Sequence, residues 1–90
     1  MKILQTARFE KTYKKLNASQ REALDTAIRA VMDNPAIGEM KKGDLRGVQV
    51  HKFRMTHQLT LLGYQYDSSS KTLTLLAAGP HENFYRDLKH

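Results

Sequence analysis

The segment Val48-Gln49-Val50-His51-Lys52-Phe53-Arg54-Met55-Thr56-His57-Gln58-Leu59-Thr60-Leu61-Leu62-Gly63-Tyr64-Gln65-Tyr66 reads as two strands joined by a tight turn at Thr56-His57. In the first strand, Val48 to Met55, the apolar set changes sides midway, from Val48 and Val50 to Phe53 and Met55. A strand half-buried under one layer keeps its apolar residues on one side. A bulge or a change of covering element is therefore expected here. The same alternation sends Lys52 and Arg54 out together on one face. The second strand, Gln58 to Tyr66, carries Leu59, Leu61, Leu62, Tyr64 and Tyr66. Both of its faces are apolar, as suits a central strand.

Beyond this pair, Asp67-Ser68-Ser69-Ser70 is a turn and Lys71 to Ala78 a third strand, which completes an antiparallel meander. On the N-terminal side, Lys2-Ile3-Leu4-Gln5-Thr6 is a short strand. Thr6 is placed to cap a helix carrying Phe9, Tyr13 and Leu16. Lys11, Lys14 and Lys15 form the solvated face of that helix. The next helix is the clearest in the chain. Ser19-Gln20-Arg21-Glu22 has capping-box spacing, with Asn17 as an alternative cap. Leu24, Ala27, Ile28, Val31 and Met32 then form one apolar stripe, and Asn34-Pro35 stops it. Ala36 to Gly47 reads as a loop. The order β-α-α-β-β-β with a short terminal helix predicts an α+β domain spanning residues 1–90, with a helical hairpin on one face of the sheet.

Ninety residues suit one modest core, and 40% hydrophobic with 27% charged content argues against disorder. No apolar run is long enough to span a bilayer, and the N-terminus is polar too soon for a signal peptide. A cytoplasmic protein without a membrane partner is expected. The chain has no cysteine, and none of His51, His57, His81 and His90 makes an HxxxH or HExxH spacing with another. Neither a metal site nor a cofactor is expected. The net charge of +6 and pI near 9.8 suggest a polyanion or an acidic protein as partner.

The chain ends in Gly79-Pro80-His81-Glu82-Asn83-Phe84-Tyr85-Arg86-Asp87-Leu88. In a helix after Pro80, Phe84 and Leu88 share one face for docking, while His81 and Tyr85 bring an imidazole beside a phenol. Lys52, Arg54 and Gln58 are expected near this pair, on the sheet face that the helical hairpin leaves open. Cations, an imidazole and a phenol suit attack of an RNA 2′-hydroxyl on the adjacent phosphate. One group takes the hydroxyl proton, another protonates the leaving 5′ oxygen, and cations neutralise the phosphorane. Tyr85 can alternatively stack on a base. A carboxylate pair for glycoside hydrolysis and a GxSxG motif for acyl transfer are both lacking. His51 and His57 are secondary candidates for RNA contact. The loop residues Lys41, Lys42 and Arg46 are placed to touch phosphates, although solubility is the plainer role for the two lysines.

On these residues the chain resembles RelE/ParE-superfamily toxins of type II toxin–antitoxin systems. The resemblance runs through the helical hairpin, Asp44-Leu45-Arg46-Gly47, Lys52-Phe53-Arg54 and the G-x-H-x-x-x-Y of Gly79 to Tyr85. It implies a microbial-RNase-like fold and a ribosome-dependent, metal-independent mRNA endonuclease that inhibits translation. Lys52 matches a strand lysine that binds phosphate in RelE-like enzymes, and Arg54 a basic position shortly after it. His81 falls where RelE-type members have an arginine or histidine, and Tyr85 on their terminal tyrosine. Gln58 stands where the family usually has an arginine, and Val50 replaces a second strand lysine, which weakens phosphate clamping. The resemblance also implies a cognate antitoxin, acidic or partly disordered, that covers the basic sheet face or displaces the terminal helix. Operator DNA would be reached only through the antitoxin complex. Two alternatives share the fold: a ParE-like inhibitor of DNA gyrase, and a weakly active toxin acting mainly as an antitoxin-binding co-repressor.

Overall fold

A computed structural model describes residues 1–88, the side chains of Glu82, Asn83 and Asp87 excepted; His90 thus lies outside the described residues. The hairpin read from the sequence forms its middle. Strand β3 (Gln49–Met55) pairs antiparallel with β4 (Gln58–Asp67), and β4 with β5 (Thr72–Pro80). The N-terminal β1 (Lys2–Gln5) lies parallel to β5 as one edge of the sheet. At the other edge, a two-residue strand, β2 (Glu39–Met40), pairs with β3 inside the segment expected to be loop. The five-stranded order is β1-β5-β4-β3-β2, so the strand that is apolar on both faces is central.

Helix α1 (Ala7–Lys14) begins where Thr6 Oγ1 accepts from the Phe9 N–H at 3.1 Å, as the sequence indicated. The same hydroxyl donates to the Leu76 carbonyl at 2.8 Å, which ties the helix start to β5. Helix α2 (Ala18–Asp33) opens on a reciprocal capping box, but its members are Asn17 and Gln20 rather than Ser19 and Glu22. The alternative cap prevails because α2 starts two residues earlier, leaving Ser19 inside the first turn. Leu24, Ala27 and Val31 of α2 join Phe9, Met55, Leu62, Tyr64, Leu73 and Leu75 in the main core. Burying one large apolar side chain there contributes roughly 1.5–3 kcal/mol. Tyr64 is fully buried, and its hydroxyl donates to the Pro35 carbonyl at 2.6 Å while accepting from the Gly38 N–H at 2.9 Å. Its phenol thereby fixes the turn that leads from α2 to β2.

The opposite face carries a second, smaller core of Val48, Val50, Leu61, Ala77 and Phe84, flanked by Leu45, Leu76, Tyr85 and Leu88. Phe84, Tyr85 and Leu88 come from the terminal helix α3 (His81–Leu88), so Phe84 and Leu88 dock as expected. Phe84 lies close over Gly63, where a Cβ would stand 2.7 Å from its ring. This face explains the switch of apolar residues in β3. Val48 and Val50 meet the α3 side, while Phe53 and Met55 meet the α1–α2 side. The β3–β4 register is unbroken, and the one shift in the β4–β5 ladder falls at Gly63/Tyr64. A change of cover, not a bulge in β3, accounts for the pattern. No helix among the described residues is long and apolar enough to cross a membrane.

Candidate functional site

Helix α3 starts directly after Pro80, the last residue of β5, and runs over the face opposite the helical hairpin. Its two faces separate as the four-residue spacing predicts. Phe84 is buried, Tyr85 is half-buried and His81 is exposed. The His81 and Tyr85 rings meet edge-on with centroids 5.3 Å apart, and Tyr85 meets Phe84 edge-on at 5.1 Å. The imidazole and phenol are thus neighbours, held by a helix whose docking residue lies between them in sequence.

Lys52 and Arg54 alternate with Val50 on β3, so both belong to the α3 side. Lys52 pairs with Leu61, which pairs in turn with Gly79, and Leu61 lies in the core that Tyr85 flanks. Arg54 pairs with Leu59, and the neighbouring Thr60 pairs with Pro80, immediately before His81. Sheet register therefore brings both cations towards the start of α3. The pairing of β2 with β3 stops at Val50, which leaves the far end of β3 as a free edge. There Arg54 also borders a groove against α2.

The expected grouping needs correction at Gln58. Gln58 lies on the hairpin side, in a pocket with Thr12, Leu16, Gln20 and Thr60. It alternates with Leu61 rather than following it, so the pleat sends it to the other face. His51 also faces the hairpin, in the groove lined by Ala23, Thr26, Ala27 and Ala30 of α2, with its ring stacked on Phe53 at 6.4 Å. Burial depresses its pKa below the usual histidine value. His57 occupies the β3–β4 turn, exposed, with φ of 72° beside 46° at Thr56. Lys42 and Arg46 are exposed at the two ends of a 3-10 turn, Gly43–Leu45.

Lys41 is the addition that sequence did not supply in this role. Its Nζ lies 5.3 Å from the centre of the Tyr85 ring and 3.5 Å from Glu39 Oε1. Hydrogen bonding to Tyr85 raises its pKa above the usual lysine value; desolvation opposes the rise, and the charges of Tyr85 and Glu39 add to it. The signal in the sequence was Glu39-Met40-Lys41, whose Lys41 directly follows a strand too short for periodicity to reveal. Among the described residues, no cluster of three or more His, Asp or Glu side chains is arranged to hold a metal ion.

The sequence matches one family model over residues 3–89, that of the ParE-like toxin of type II bacterial toxin-antitoxin system. The chain belongs to this toxin family. Solved structures share the toxin's fold. The YoeB/ParE toxin from Agrobacterium tumefaciens superposes with a TM-score of 0.73 at 24% identity, covering 90% of this chain and 99% of that one. RelE in the intact Escherichia coli RelBE toxin–antitoxin complex gives 0.71 at 22%, covering 88% and 94%. The Mycobacterium tuberculosis RelBE2 complex contains a chain giving 0.68 at 18%, covering 89% and 96%. At such identities the likeness concerns the fold alone. No curated protein matches the toxin's sequence.

Proposed function

We propose that this toxin is a ribosome-dependent mRNA endonuclease that cleaves by attack of a 2′-hydroxyl on the adjacent phosphate. The observation that carries the proposal is the 5.3 Å His81–Tyr85 pair, set on the sheet face that also carries Lys52 and Arg54. In this reading, Arg54 and Lys52 hold the phosphate oxygens and offset the charge that builds on the phosphorane. His81 and Tyr85 divide the two proton transfers, from the 2′-hydroxyl and to the 5′ oxygen, and Tyr85 offers a ring for the flanking base. The mechanism draws on no metal, because protein side chains supply both the proton transfers and the charge neutralisation. The resemblance of Lys52 and Arg54 to the basic strand positions of RelE-like enzymes supports it. Cytoplasmic translation is the setting the proposal requires. A cognate antitoxin is the proposed protein partner, as RelB is for E. coli RelE. Contact with operator DNA would come only through that antitoxin complex.

The test is induction of the chain, and of its His81→Ala and Tyr85→Phe variants, followed by mapping of mRNA ends within ribosomes. Each variant should slow cleavage by about 10²–10⁴-fold and relieve growth arrest. Full toxicity of the double variant with intact mRNA would overturn the proposal.

One observation favours a second reading. With Gln58 and His51 turned to the hairpin side, fewer polar groups face the proposed substrate, and the matching family is described as ParE-like. A gyrase inhibitor needs no proton-transfer pair. Inhibition of gyrase supercoiling by the purified chain, unchanged by Tyr85→Phe, would establish that reading instead.

A further inference from the structure

Resting on the endonuclease reading above, we propose that Lys41 is a positioning residue that holds Tyr85 in its working orientation beside His81. Helix α3 has only eight residues and cannot be stable without tertiary contacts. Phe84 anchors it over Gly63, but Tyr85 lies one position further round the helix, about 100° away. Phe84 meets the Tyr85 ring edge-on at 5.1 Å and supports one side of it. The two polar groups against the ring are the His81 imidazole at 5.3 Å and the Lys41 ammonium at 5.3 Å from the ring centre.

Lys41 is itself held in three ways. Its N–H donates to the Val48 carbonyl at 2.9 Å, which extends the β2–β3 ladder by one residue. Its Nζ lies 3.5 Å from Glu39 Oε1, and the third hold is the Tyr85 ring. A lysine serving solubility keeps its head in water, yet only 22% of this side chain is exposed. The depressed exposure and the cation over the aromatic face both point to an ordered contact. Its upward-shifted pKa agrees, since the charged form is favoured by Tyr85 first. In this proposal the ammonium acts through the phenol.

The closing experiment uses the full chain with two measurements. Steady-state cleavage of ribosome-bound mRNA by Lys41→Met, which keeps the apolar stem and removes the charge, should show kcat lower by about tenfold to a hundredfold. KM should change by less than about twofold, and Lys41→Arg should recover most of the rate, because a guanidinium also sits over a ring. In parallel, NMR should detect contacts between the Tyr85 and His81 rings in the unsubstituted chain and their weakening in Lys41→Met. The Lys41 side-chain methylenes should lose their ring-current shift in Tyr85→Leu. If the unsubstituted chain cleaves no mRNA, the endonuclease reading fails and the NMR measurements alone decide whether Lys41 positions Tyr85. A Lys41→Met chain that keeps the His81–Tyr85 contact, or that cleaves at the unsubstituted rate, overturns the inference.

Discussion

On the hairpin side of the sheet, Phe9, Leu24, Val31, Leu62, Tyr64 and Leu73 are all sealed beneath α1 and α2, whose starts are capped by Thr6 and Asn17. On the other side, one short helix covers Val48, Val50, Leu61 and Ala77 chiefly through Phe84 and Leu88. The first face resembles an ordinary domain core, with its buried phenol satisfied twice over. The second is thin, and the proposed chemistry sits at its margin. The main core and the proposed chemistry thus lie on two faces of the same strands. A site on the thin side can be covered by a partner, or reshaped by movement of α3, without opening the main core.

The largest expected break in this comparison is Phe9→Ala. Removing a 2%-exposed ring from the main core should cost about 3–5 kcal/mol in chemical denaturation. The contrasting change on the thin face is Gly63→Ala, because a Cβ there would stand 2.7 Å from Phe84. It should cost roughly 1–3 kcal/mol as overpacking while abolishing most cleavage, with hydrogen exchange rising in α3 before it rises in α2. An equal rise in both helices would show that the faces are not independent.

Tyr64→Phe sharpens the view of the hairpin side, since it removes the acceptor of the Gly38 N–H and one of the two donors to the Pro35 carbonyl, the other being Gln49 Nε2. A loss of about 1–3 kcal/mol in thermal or urea unfolding is expected, with cleavage by the folded fraction retained. Changes at the β3–β4 turn should have the opposite sign. Thr56→Asn with His57→Gly suits the positive φ angles of 46° and 72° and should stabilise the chain by about 1 kcal/mol. Unaltered cleavage in that variant would place His57 outside the site, whereas a clear loss would bring the turn back into it.

The smallest effect concerns pH. Burial lowers the folded-state pKa of His51, so the unfolded chain takes up a proton first as pH falls. Stability should therefore decline below about pH 6.5 and level off once pH passes the folded-state value. Urea midpoints for His51→Gln should show a shallower decline across that window. An identical slope in both chains would remove burial of His51 from the account.

The sequence by itself determined the three helices and the four longer strands, the central place of β4 and the separation of Phe84 and Leu88 from His81 and Tyr85 along the terminal helix. Those features follow from periods of two and 3.6 residues, which are local and survive in a single chain. It also exposed the change of sides in β3, though not which of its two causes applied. Tertiary structure alone decided three matters. It showed that α3 covers the Val48–Val50 end of β3, because packing partners distant in sequence leave no local period. It turned Gln58 and His51 away from the terminal pair, because one step along a strand reverses a side chain and register sets which step counts. And it laid Lys41 against Tyr85, 44 positions later in the chain, through a two-residue edge strand whose pairing exists only once β3 is in place.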